Sequence, residues 1–439
     1  MPNKEIFCNS PWYELHIYWD GALAFCCHAT PNIPYDESLK PTYNIKNMSI
    51  REWYNSQAMR EARLKMLGNQ QWNHCDRCWH EESVAFTSRR HRSNQKSVIF
   101  RQNFDDSFQQ SPGYNKFKHS LENDGAYNGM PVDLHIDLGN YCNLACKMCN
   151  PYASSRIATQ HRQWGILDDS TQDWTLNQAV WNQFKQELAS ISQLKNIHFM
   201  GGETLIQPKF QDLIDFLVEQ NRTDVCISFV TNGTSYDSLL VEKLKLFPRV
   251  GIEVSIEAMD QVNDYVRQGT DTQLVIENIN KYLDNCNGSS ITLTLRPAPG
   301  LLTVKSYWQV IEYALQQKLL IKSNLCTDPA FLHMNILPAD IKKEYKTYYL
   351  ELYRRWNLDA VELSMDFNES DTSNFKAVAK NQIIQITNML DSQAPDNAEY
   401  LLQQLVQHLN RWDPVYKFDA RKIYPELVDI LDKYGYQSI

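Results

Sequence analysis

The order of apolar and polar residues predicts alternating strands and helices from residue 132 onward. Short apolar or alternating segments, typical of strands, lie at 132–138, 195–200, 225–231, 250–256, 291–296 and 318–325. Helical patterns lie between them, for example at 176–191, 208–219 and 304–317. Strands that alternate with helices form βαβ units and a parallel sheet. Because ligands of such sheets bind beyond the carboxyl ends of the strands, we expect the chemically active residues there.

The N-terminal part of the chain follows a different pattern. Residues 14–27 alternate on both sides of an Asp-Gly pair, which is typical of type I′ turns, and predict a hairpin. One helix is predicted at 49–67. The basic run at 88–96 is expected to be a solvated helix end or linker, with a phosphate-binding site as the alternative. Residues 121–131 are rich in turn formers and predict the connection into the strand-and-helix part.

After about residue 338 the strand pattern fades. Apolar residues recur there at helical spacing, namely Leu401, Leu402, Leu405, Val406, Leu409 and Trp412. We expect this stripe to pack on the predicted strand-and-helix part, called the barrel below, rather than to bind a partner helix. A last helix is predicted to begin near Pro425. The whole C-terminal region is expected to close the open side of the barrel and to shape substrate access.

Composition narrows the class of protein. The chain has 439 residues, of which 43% are hydrophobic, and this suggests two or three domains with a sizeable core. Its formal net charge of −9 argues against nucleic-acid binding. The sequence shows neither an apolar segment typical of a secretion signal nor an apolar run of membrane-spanning length. The 11 cysteines then indicate metal or redox chemistry in the cytoplasm rather than disulfides.

Three cysteines follow the first predicted strand at short spacing: Cys142, Cys146 and Cys149. Thiolates are the normal ligands of iron–sulfur clusters. Three of them on one loop can hold three corners of a four-iron cluster and leave the fourth iron open for a small molecule. Zinc is the alternative, but structural zinc sites have four ligands, usually in CxxC pairs. The spacing therefore favours an iron–sulfur cluster.

This motif resembles the cysteine motif of the radical S-adenosylmethionine (radical SAM) superfamily. The resemblance implies that Cys142, Cys146 and Cys149 hold a catalytic [4Fe–4S] cluster. Its open iron would bind the amino and carboxylate groups of S-adenosylmethionine (SAM). Met148 stands where the family most often has an aromatic residue. Methionine is flexible and polarizable, so it can still pack against the adenine.

Other residues near the predicted strand ends match the SAM-binding positions of the family: Gly201, Gly202, Glu203, Asn232, Ser255, Glu257 and Arg267. The Gly-Gly-Glu segment implies a contact with the methionine amine of SAM, although Thr204 stands where the family often has proline. Strand alternation puts Ser255 and Glu257 on one face, where the resemblance implies ribose binding. Arg267 is suited to the SAM carboxylate, with a surface ion pair as the alternative. For Asn232 the alternative is a plain strand-to-helix turn.

A second set of cysteines lies near the N terminus: Cys8, Cys26, Cys75 and Cys78. Four thiols from a hairpin and a later CxxC can enclose zinc or a four-iron cluster. The pattern of a Cys, a Gly-x4-Cys and a CxxC resembles the twitch domain, the shortened form of the SPASM domain. This implies an auxiliary [4Fe–4S] cluster, in a domain that usually follows the barrel and here precedes it. Cys27, Cys226 and Cys286 are expected to be small packing residues.

Four residues after the fifth and sixth predicted strands are candidates for substrate contact: Arg296, Cys326, Asp328 and His333. The alternative for each is a structural role, because a lone polar group near a core is usually just hydrogen-bonded.

The sequence thus predicts an α/β protein with a partial (β/α)6 TIM-type barrel, a small N-terminal α+β iron–sulfur domain and a helical C-terminal region. The expected boundaries are 1–95 for the twitch-like domain, 96–131 for a linker, 132–337 for the barrel and 338–439 for the C-terminal region.

The family resemblance also implies a reaction. SAM would be cleaved reductively to a 5′-deoxyadenosyl radical, which would abstract hydrogen from a peptide or protein in a net oxidation. The auxiliary cluster would carry electrons, and a reductant such as flavodoxin or ferredoxin would be a partner. One alternative is a radical SAM dehydrogenase or epimerase of small sugar-like or aminocyclitol-like molecules. An alternative of another class is a non-catalytic zinc-binding interaction protein.

Overall fold

The computed structural model describes residues 6–29, 43–84, 88–96, 112–167, 173–361 and 375–437. Its strands are β1 (Glu14–Ile17), β2 (Leu23–Ala24), β3 (Asp133–Asp137), β4 (Ala145–Cys146), β5 (Asn196–Met200), β6 (Cys226–Thr231), β7 (Val250–Val254), β8 (Arg267–Gln268), β9 (Ile291–Leu295) and β10 (Leu320–Ile321). The predicted alternation of strands and helices is confirmed, although the last predicted strand shrinks to two residues.

The helices up to the middle of the chain are α1 (Ser10–Tyr13), α2 (Ile50–Tyr54), α3 (Gln57–Leu67), α4 (Asp76–Val84), α5 (Arg89–Lys96), α6 (Pro112–Glu122), α7 (Ser155–Gln163), α8 (Gln178–Ser190), α9 (Pro208–Glu219) and α10 (Ser238–Leu244). Those that follow are α11 (Gln261–Val266), α12 (Thr272–Cys286), α13 (Tyr307–Gln317), α14 (Ala339–Arg355), α15 (Phe375–Asp391), α16 (Ala398–Tyr416), α17 (Ala420–Ile423) and α18 (Val428–Lys433). Not one of these described helices is both long and apolar enough to cross a membrane.

The chain divides into two compact units. The first comprises Met1–Tyr141, His161–Phe229 and Leu239–Val250, and the second comprises Cys142–Gln160, Val230–Ser238 and Gly251–Ile439. Each unit draws on more than one of the expected domains, whose boundaries stay a prediction.

The sheet of the first unit has the strand order β2-β1-β3-β5-β6. Neighbours from β1 to β6 run parallel, and only β2 is antiparallel. Leu134 and Ile136 alternate along β3 with half-exposed polar residues. Helix α8 of the same unit buries Trp181 and Phe184 on one face, as a period of 3.6 residues requires. The other face of the sheet is polar.

The N-terminal hairpin is confirmed, but its predicted turn type is wrong. A type I′ turn needs a positive φ at both central residues. Here Gly21 has φ 89°, whereas Asp20 is not among the residues with positive φ. Ile17 pairs with Leu23, and the Tyr18 N–H bonds to the Ala22 carbonyl. This arrangement is a three-residue loop that ends in a left-handed glycine. The sequence also did not predict that β1 would pair in parallel with β3 and so join the barrel sheet.

Two further local predictions for the first unit are corrected. The single helix at 49–67 is broken into α2 and α3 because the Ser56 side chain accepts a bond from the Met59 N–H and starts a new helix. The basic run at 88–96 is not a solvated end. In α5 the side chains of Arg90 and Ser93 are buried, since both find polar partners.

The second unit contains β7, β9 and β10 as parallel-sheet neighbours in the order β7-β9-β10. The Ser255 N–H bonds to the Thr231 carbonyl at the end of β6, and the Arg296 N–H bonds to the Val254 carbonyl. The mostly parallel α/β sheet of a partial barrel is therefore as predicted, and the described strands show no pairing that closes a full barrel. A separate antiparallel pair joins β4 to β8.

The C-terminal region is helical, as expected. The predicted stripe lies on α16 and is buried, with exposed fractions from 0% for Val406 to 9% for Leu402. This face packs against the short turns at Ala330–Leu332 and Met334–Ile336 of the same unit. The predicted last helix begins as a 3-10 turn at Pro425–Leu427 and continues as α18.

Candidate active site

The loop of Cys142, Cys146 and Cys149 is folded by its own hydrogen bonds. Ser155 at the start of α7 accepts a bond from the Cys142 N–H at 3.1 Å and donates to the Cys142 carbonyl at 3.2 Å. The Leu144 N–H donates to the Cys142 sulfur at 3.4 Å. The Cys149 N–H closes a turn on the Cys146 carbonyl at 2.9 Å. All three thiols are half-buried.

The charges of the neighbouring groups act on the Cys149 thiol. Burial raises the pKa of Cys149 to about 12, and repulsion from Cys146 and Cys142 adds to this, whereas Arg267 acts in the opposite direction. Iron binds the thiolate form and so relieves such repulsion. Across the described residues, no group of three His, Cys, Asp or Glu side chains is arranged around a single metal ion. In a four-iron cluster each cysteine binds a different iron.

Arg267 lies directly opposite Cys146 in the β4–β8 pair. Its Nη1 donates to Glu257 Oε1 at 2.9 Å, and Glu257 Oε2 accepts the Ala298 N–H at 2.5 Å. Burial raises the pKa of Glu257, although Arg267 and the Ala298 N–H act against it. Burial would lower the pKa of Arg267, but Cys146 and Glu257 raise it above its usual value. Two predicted SAM contacts are thus bound to each other beside the cysteine loop.

Unused hydrogen-bonding capacity lies at the same place. The Arg267 Nε and both amide atoms of Gln268 are buried without a hydrogen-bond partner. Gln268 is 0% exposed and faces Ala145 in the β4–β8 pair. Buried polar groups are normally bonded, so these atoms suit a polar ligand such as the amino-acid end of SAM. Sequence reasoning missed Gln268. Its only signal is its position next to Arg267.

Asn232 binds the cysteine loop itself. Its Nδ2 donates to Asn143 Oδ1 at 2.8 Å, and Asn143 Nδ2 donates to Thr234 Oγ1 at 2.9 Å. Asn232 Oδ1 accepts from the N–H and the hydroxyl of Thr234 at 3.0 and 2.7 Å. These bonds orient the residue next to Cys142. Asn232 is therefore more than a plain turn residue.

In the first unit, the Gly-Gly-Glu segment packs its backbone against residues 139–141, which lead into the cysteine loop along the chain. Gly202 has φ 56°, and a Cβ on it would lie 2.2 Å from the Tyr141 carbonyl oxygen. Glu203 is buried, its N–H donates to that same oxygen at 2.8 Å, and its carboxylate accepts the Leu205 N–H. Only glycine fits at position 202, because it has a left-handed φ and no space for a side chain.

The four N-terminal cysteines predicted as ligands line one narrow cavity, and all are buried: Cys8, Cys26, Cys75 and Cys78. Burial raises the pKa of Cys26 and of Cys75, and repulsion from the other cysteines raises both further. Cys27 is half-buried and does not line the cavity. The donor set therefore fits a four-iron cluster with four thiolates.

Charged and aromatic side chains that the sequence analysis did not predict as part of a site surround this cavity. Arg89 forms an ion pair with Glu14 at 2.9 Å. Arg90 donates to the Phe7 carbonyl at 2.9 Å, and its guanidinium lies over the ring of Trp79. Both arginines line the cavity. His28 places Nδ1 3.7 Å from the Cys78 sulfur. The basic run was the available signal, since two cations balance the negative charge of thiolate ligands.

A row of histidines crosses the polar face of the same unit. His16, His135 and His198 pair in register on β1, β3 and β5, with ring centroids 5.8 and 5.0 Å apart. His16 Nε2 lies 3.2 Å from Asp137 Oδ1, and Tyr18 stacks on His16 at 4.1 Å. The sequence carried the signal, because each strand has a histidine between two apolar residues.

The four substrate candidates have different surroundings. Arg296 forms an ion pair with Glu253. Cys326 is buried, and burial, followed by the charge of Glu257, raises its pKa to about 12. Asp328 is exposed before a cis proline. His333 accepts the Asn335 N–H at 3.1 Å, and burial lowers its pKa. Glu257, a predicted SAM contact, is thus one of the charges that act on Cys326.

Two parts of the chain match models of known protein families. Residues 136–298 match the model of the radical SAM superfamily, and residues 8–79 match SPASM, described as an iron-sulfur cluster-binding domain. The sporulation killing factor maturation protein SkfB of Bacillus subtilis (strain 168) is 26% identical over 138 residues, which are 31% of this chain and 29% of SkfB. The chain thus matches less than a third of that relative.

Two solved structures are similar at lower identity. One is anSMEcpe with bound AdoMet, at 18% identity, 52% coverage of this chain, 58% coverage of that chain and a TM-score of 0.38. The other is Streptococcus suis SuiB bound to precursor peptide SuiA, at 13% identity, 71% and 66% coverage and a TM-score of 0.37.

Proposed function

We propose a function from the premise that this chain carries a radical SAM domain preceded by a SPASM-type iron–sulfur domain, and so uses [4Fe–4S] clusters and SAM. It is an oxidoreductase that abstracts hydrogen from a peptide or protein substrate. The observation that carries this proposal is the presence of two separate cysteine sets with different surroundings. One set has three half-buried thiols on a loop, and the other has four buried thiols around one cavity.

When bound, the loop cluster and SAM supply reductive cleavage of SAM and abstraction of a hydrogen atom from carbon. The residues of the chain bind and orient. Arg267 is held by Glu257 through Nη1, and its buried Nε has no hydrogen-bond partner, which suits the SAM carboxylate. Glu257 and Ser255 are proposed for the ribose, and the segment from Gly201 to Glu203 is proposed for the methionine amine.

The N-terminal cysteine set supports a net oxidation. Four thiolates saturate a four-iron cluster, so no iron is left open for a substrate and the cluster serves electron transfer. A substrate that loses a hydrogen atom and then an electron must also release a proton. Histidine is a common acceptor of such a proton, and we propose this role for the three histidines of the polar face.

A peptide substrate is favoured by the relative whose name describes a maturation protein for a killing factor. A flavodoxin or ferredoxin is proposed as the reductant. The small-molecule dehydrogenase or epimerase remains the second candidate, and the same assay separates the two.

The test uses anaerobically reconstituted protein with dithionite, SAM and short peptides encoded beside the gene. Formation of 5′-deoxyadenosine together with a peptide mass lowered by two hydrogen atoms supports the proposal. SAM cleavage that no peptide stimulates, but that a sugar or aminocyclitol does, favours the second candidate. Stoichiometric zinc without iron uptake refutes both.

A further inference from the structure

We propose that Asp413, on the C-terminal helix α16, is a positioning residue for the catalytic cluster and acts through Lys147 of the cysteine loop. This inference rests on the proposed role of Cys142, Cys146 and Cys149 as cluster ligands. Lys147 lies between two of those cysteines in the sequence. Its Nζ is 2.5 Å from Asp413 Oδ1, and both side chains are 0% exposed.

The carboxylate of Asp413 is held from several directions. Its Oδ2 accepts hydrogen bonds from the hydroxyl of Tyr265 at 3.0 Å and from the hydroxyl of Tyr436 at 2.7 Å. The Lys147 Nζ lies 4.3 Å from the centroid of the Tyr265 ring, which adds a cation–π contact. The acceptor for Lys147 is therefore fixed in place by its own partners and cannot follow a displaced loop.

Lys147 is also fixed at its backbone. Its N–H donates to the Val266 carbonyl at 2.8 Å, next to Arg267, the residue opposite Cys146 in the β4–β8 pair. The loop segment between the second and third cysteines is thus held on one side by the last residue of α11 and on the other by α16. Lys147 is therefore held at both its backbone N–H and its side-chain Nζ. These two contacts restrict the orientation of Cys146 and Cys149 on either side of it.

Stability alone does not explain an ion pair in this place. Desolvation of two charges offsets much of their attraction, and a well-packed apolar pair is often at least as stable. What a charged pair with two further hydrogen-bond donors supplies is a unique geometry. A loop that must present three thiolates to one cluster needs such geometry, which makes α16 part of the cluster-binding machinery.

The experiment compares reconstituted wild-type protein with Asp413→Asn and with the neutral double variant Lys147→Met/Asp413→Asn. The single variant leaves a buried lysine without its counter-charge, and the double variant removes both charges at nearly constant volume. Glu399→Gln is the matched control, because Glu399 lies on the same helix and pairs with Lys433 at 3.0 Å with 83% of its side chain exposed. The measurements are iron per chain, the electron paramagnetic resonance signal of the reduced protein with and without SAM, and the melting temperature.

We expect Asp413→Asn to keep the auxiliary cluster, about four irons per chain. Its SAM-responsive electron paramagnetic resonance signal should fall to about a third of the wild-type intensity or less. The double variant should melt like the wild type yet still lack that signal. Glu399→Gln should match the wild type in every measurement. If Asp413→Asn keeps the full signal, or if the double variant regains both melting temperature and signal, the pair is only structural and the inference is overturned.

A variant with all three loop cysteines replaced by alanine separates this inference from its premise. Iron and signal unchanged in that variant would overturn the proposed function and the inference with it. Loss of the signal there, with a full signal in both Asp413 variants, would overturn the inference alone.

Discussion

Glu257 and Arg267 form a buried ion pair in which Nη1 of the guanidinium lies 2.9 Å from Oε1 of the carboxylate. The sequence had assigned them to different parts of SAM, the ribose and the carboxylate. In the structure each depends on the other, since Glu257 orients Arg267 and Arg267 compensates the charge of Glu257. A substitution of either residue therefore changes two proposed contacts.

The first prediction concerns this pair. Glu257→Ala should weaken SAM binding by roughly 1–3 kcal/mol, because it removes a charged hydrogen bond and leaves Arg267 without its counter-charge. SAM affinity is measured by equilibrium binding, with the iron content of both clusters checked. Glu253→Ala is the control. It removes another carboxylate–guanidinium pair, Glu253 with Arg296, and Glu253 lies on strand β7, which precedes Glu257 in the chain. Equal affinity in Glu257→Ala and wild type would remove Glu257 from the SAM site.

The second prediction concerns the loop cysteines. Replacing Cys142, Cys146 and Cys149 by alanine should abolish 5′-deoxyadenosine formation under dithionite and reduce iron from about eight to about four per chain. Cys226→Ala is the control, a half-buried cysteine on β6 outside both sets. The assignment of these ligands fails if the triple variant cleaves SAM at the wild-type rate.

The third prediction separates two adjacent cysteines. In a background without the loop cysteines, Cys26→Ser should lose most of the remaining iron, because the Cys26 side chain lines the cavity shared with Cys8, Cys75 and Cys78. Cys27→Ser should keep about four irons, because Cys27 does not line that cavity. Iron analysis and the visible spectrum measure both variants. If Cys27→Ser loses the iron and Cys26→Ser keeps it, Cys27 is the ligand. If both variants keep the iron, neither hairpin cysteine is a ligand.

Much of the fold followed from local pattern. Strands β3, β5, β6, β7 and β9 and helix α9 lie within about two residues of their predicted positions, because alternation and helical periodicity are local properties of the chain. The short strands β4 and β8 were not predicted. The parallel pairing of β1 with β3 was not predictable in this way. It depends on a contact between residues more than a hundred positions apart, such as His16 and His135.

The candidate site was predictable where a short motif carried it. The spacing of the cysteines and the Gly-Gly-Glu segment are local signals, although their assignment to a cluster and to SAM stays a prediction. For Gly202 the structure shows why a glycine is needed. Lys147 with Asp413, and Gln268, were missed because a buried ion pair or an unpartnered amide arises only when distant segments pack. The basic run was misinterpreted for the same reason, since Arg89 and Arg90 look solvated until Glu14 and Glu82 are brought to them.

The last prediction tests the backbone contact between Gly202 and Tyr141 in the first unit. Gly202→Ala should strain a left-handed residue, at a cost of about 1–2 kcal/mol, and in addition force its Cβ to within 2.2 Å of the Tyr141 carbonyl oxygen. Tyr141 directly precedes Cys142, so we expect weaker SAM binding and lower iron retention as well as a lower melting temperature. Gly288→Ala separates the two effects. It has a similar φ of 72° but no atom within 4 Å of the added Cβ, so it carries the strain without the clash. Gly288→Ala should therefore lower the melting temperature modestly and leave SAM binding unchanged. If both variants bind SAM equally well, the close approach of Gly202 to Tyr141 has no role in the site.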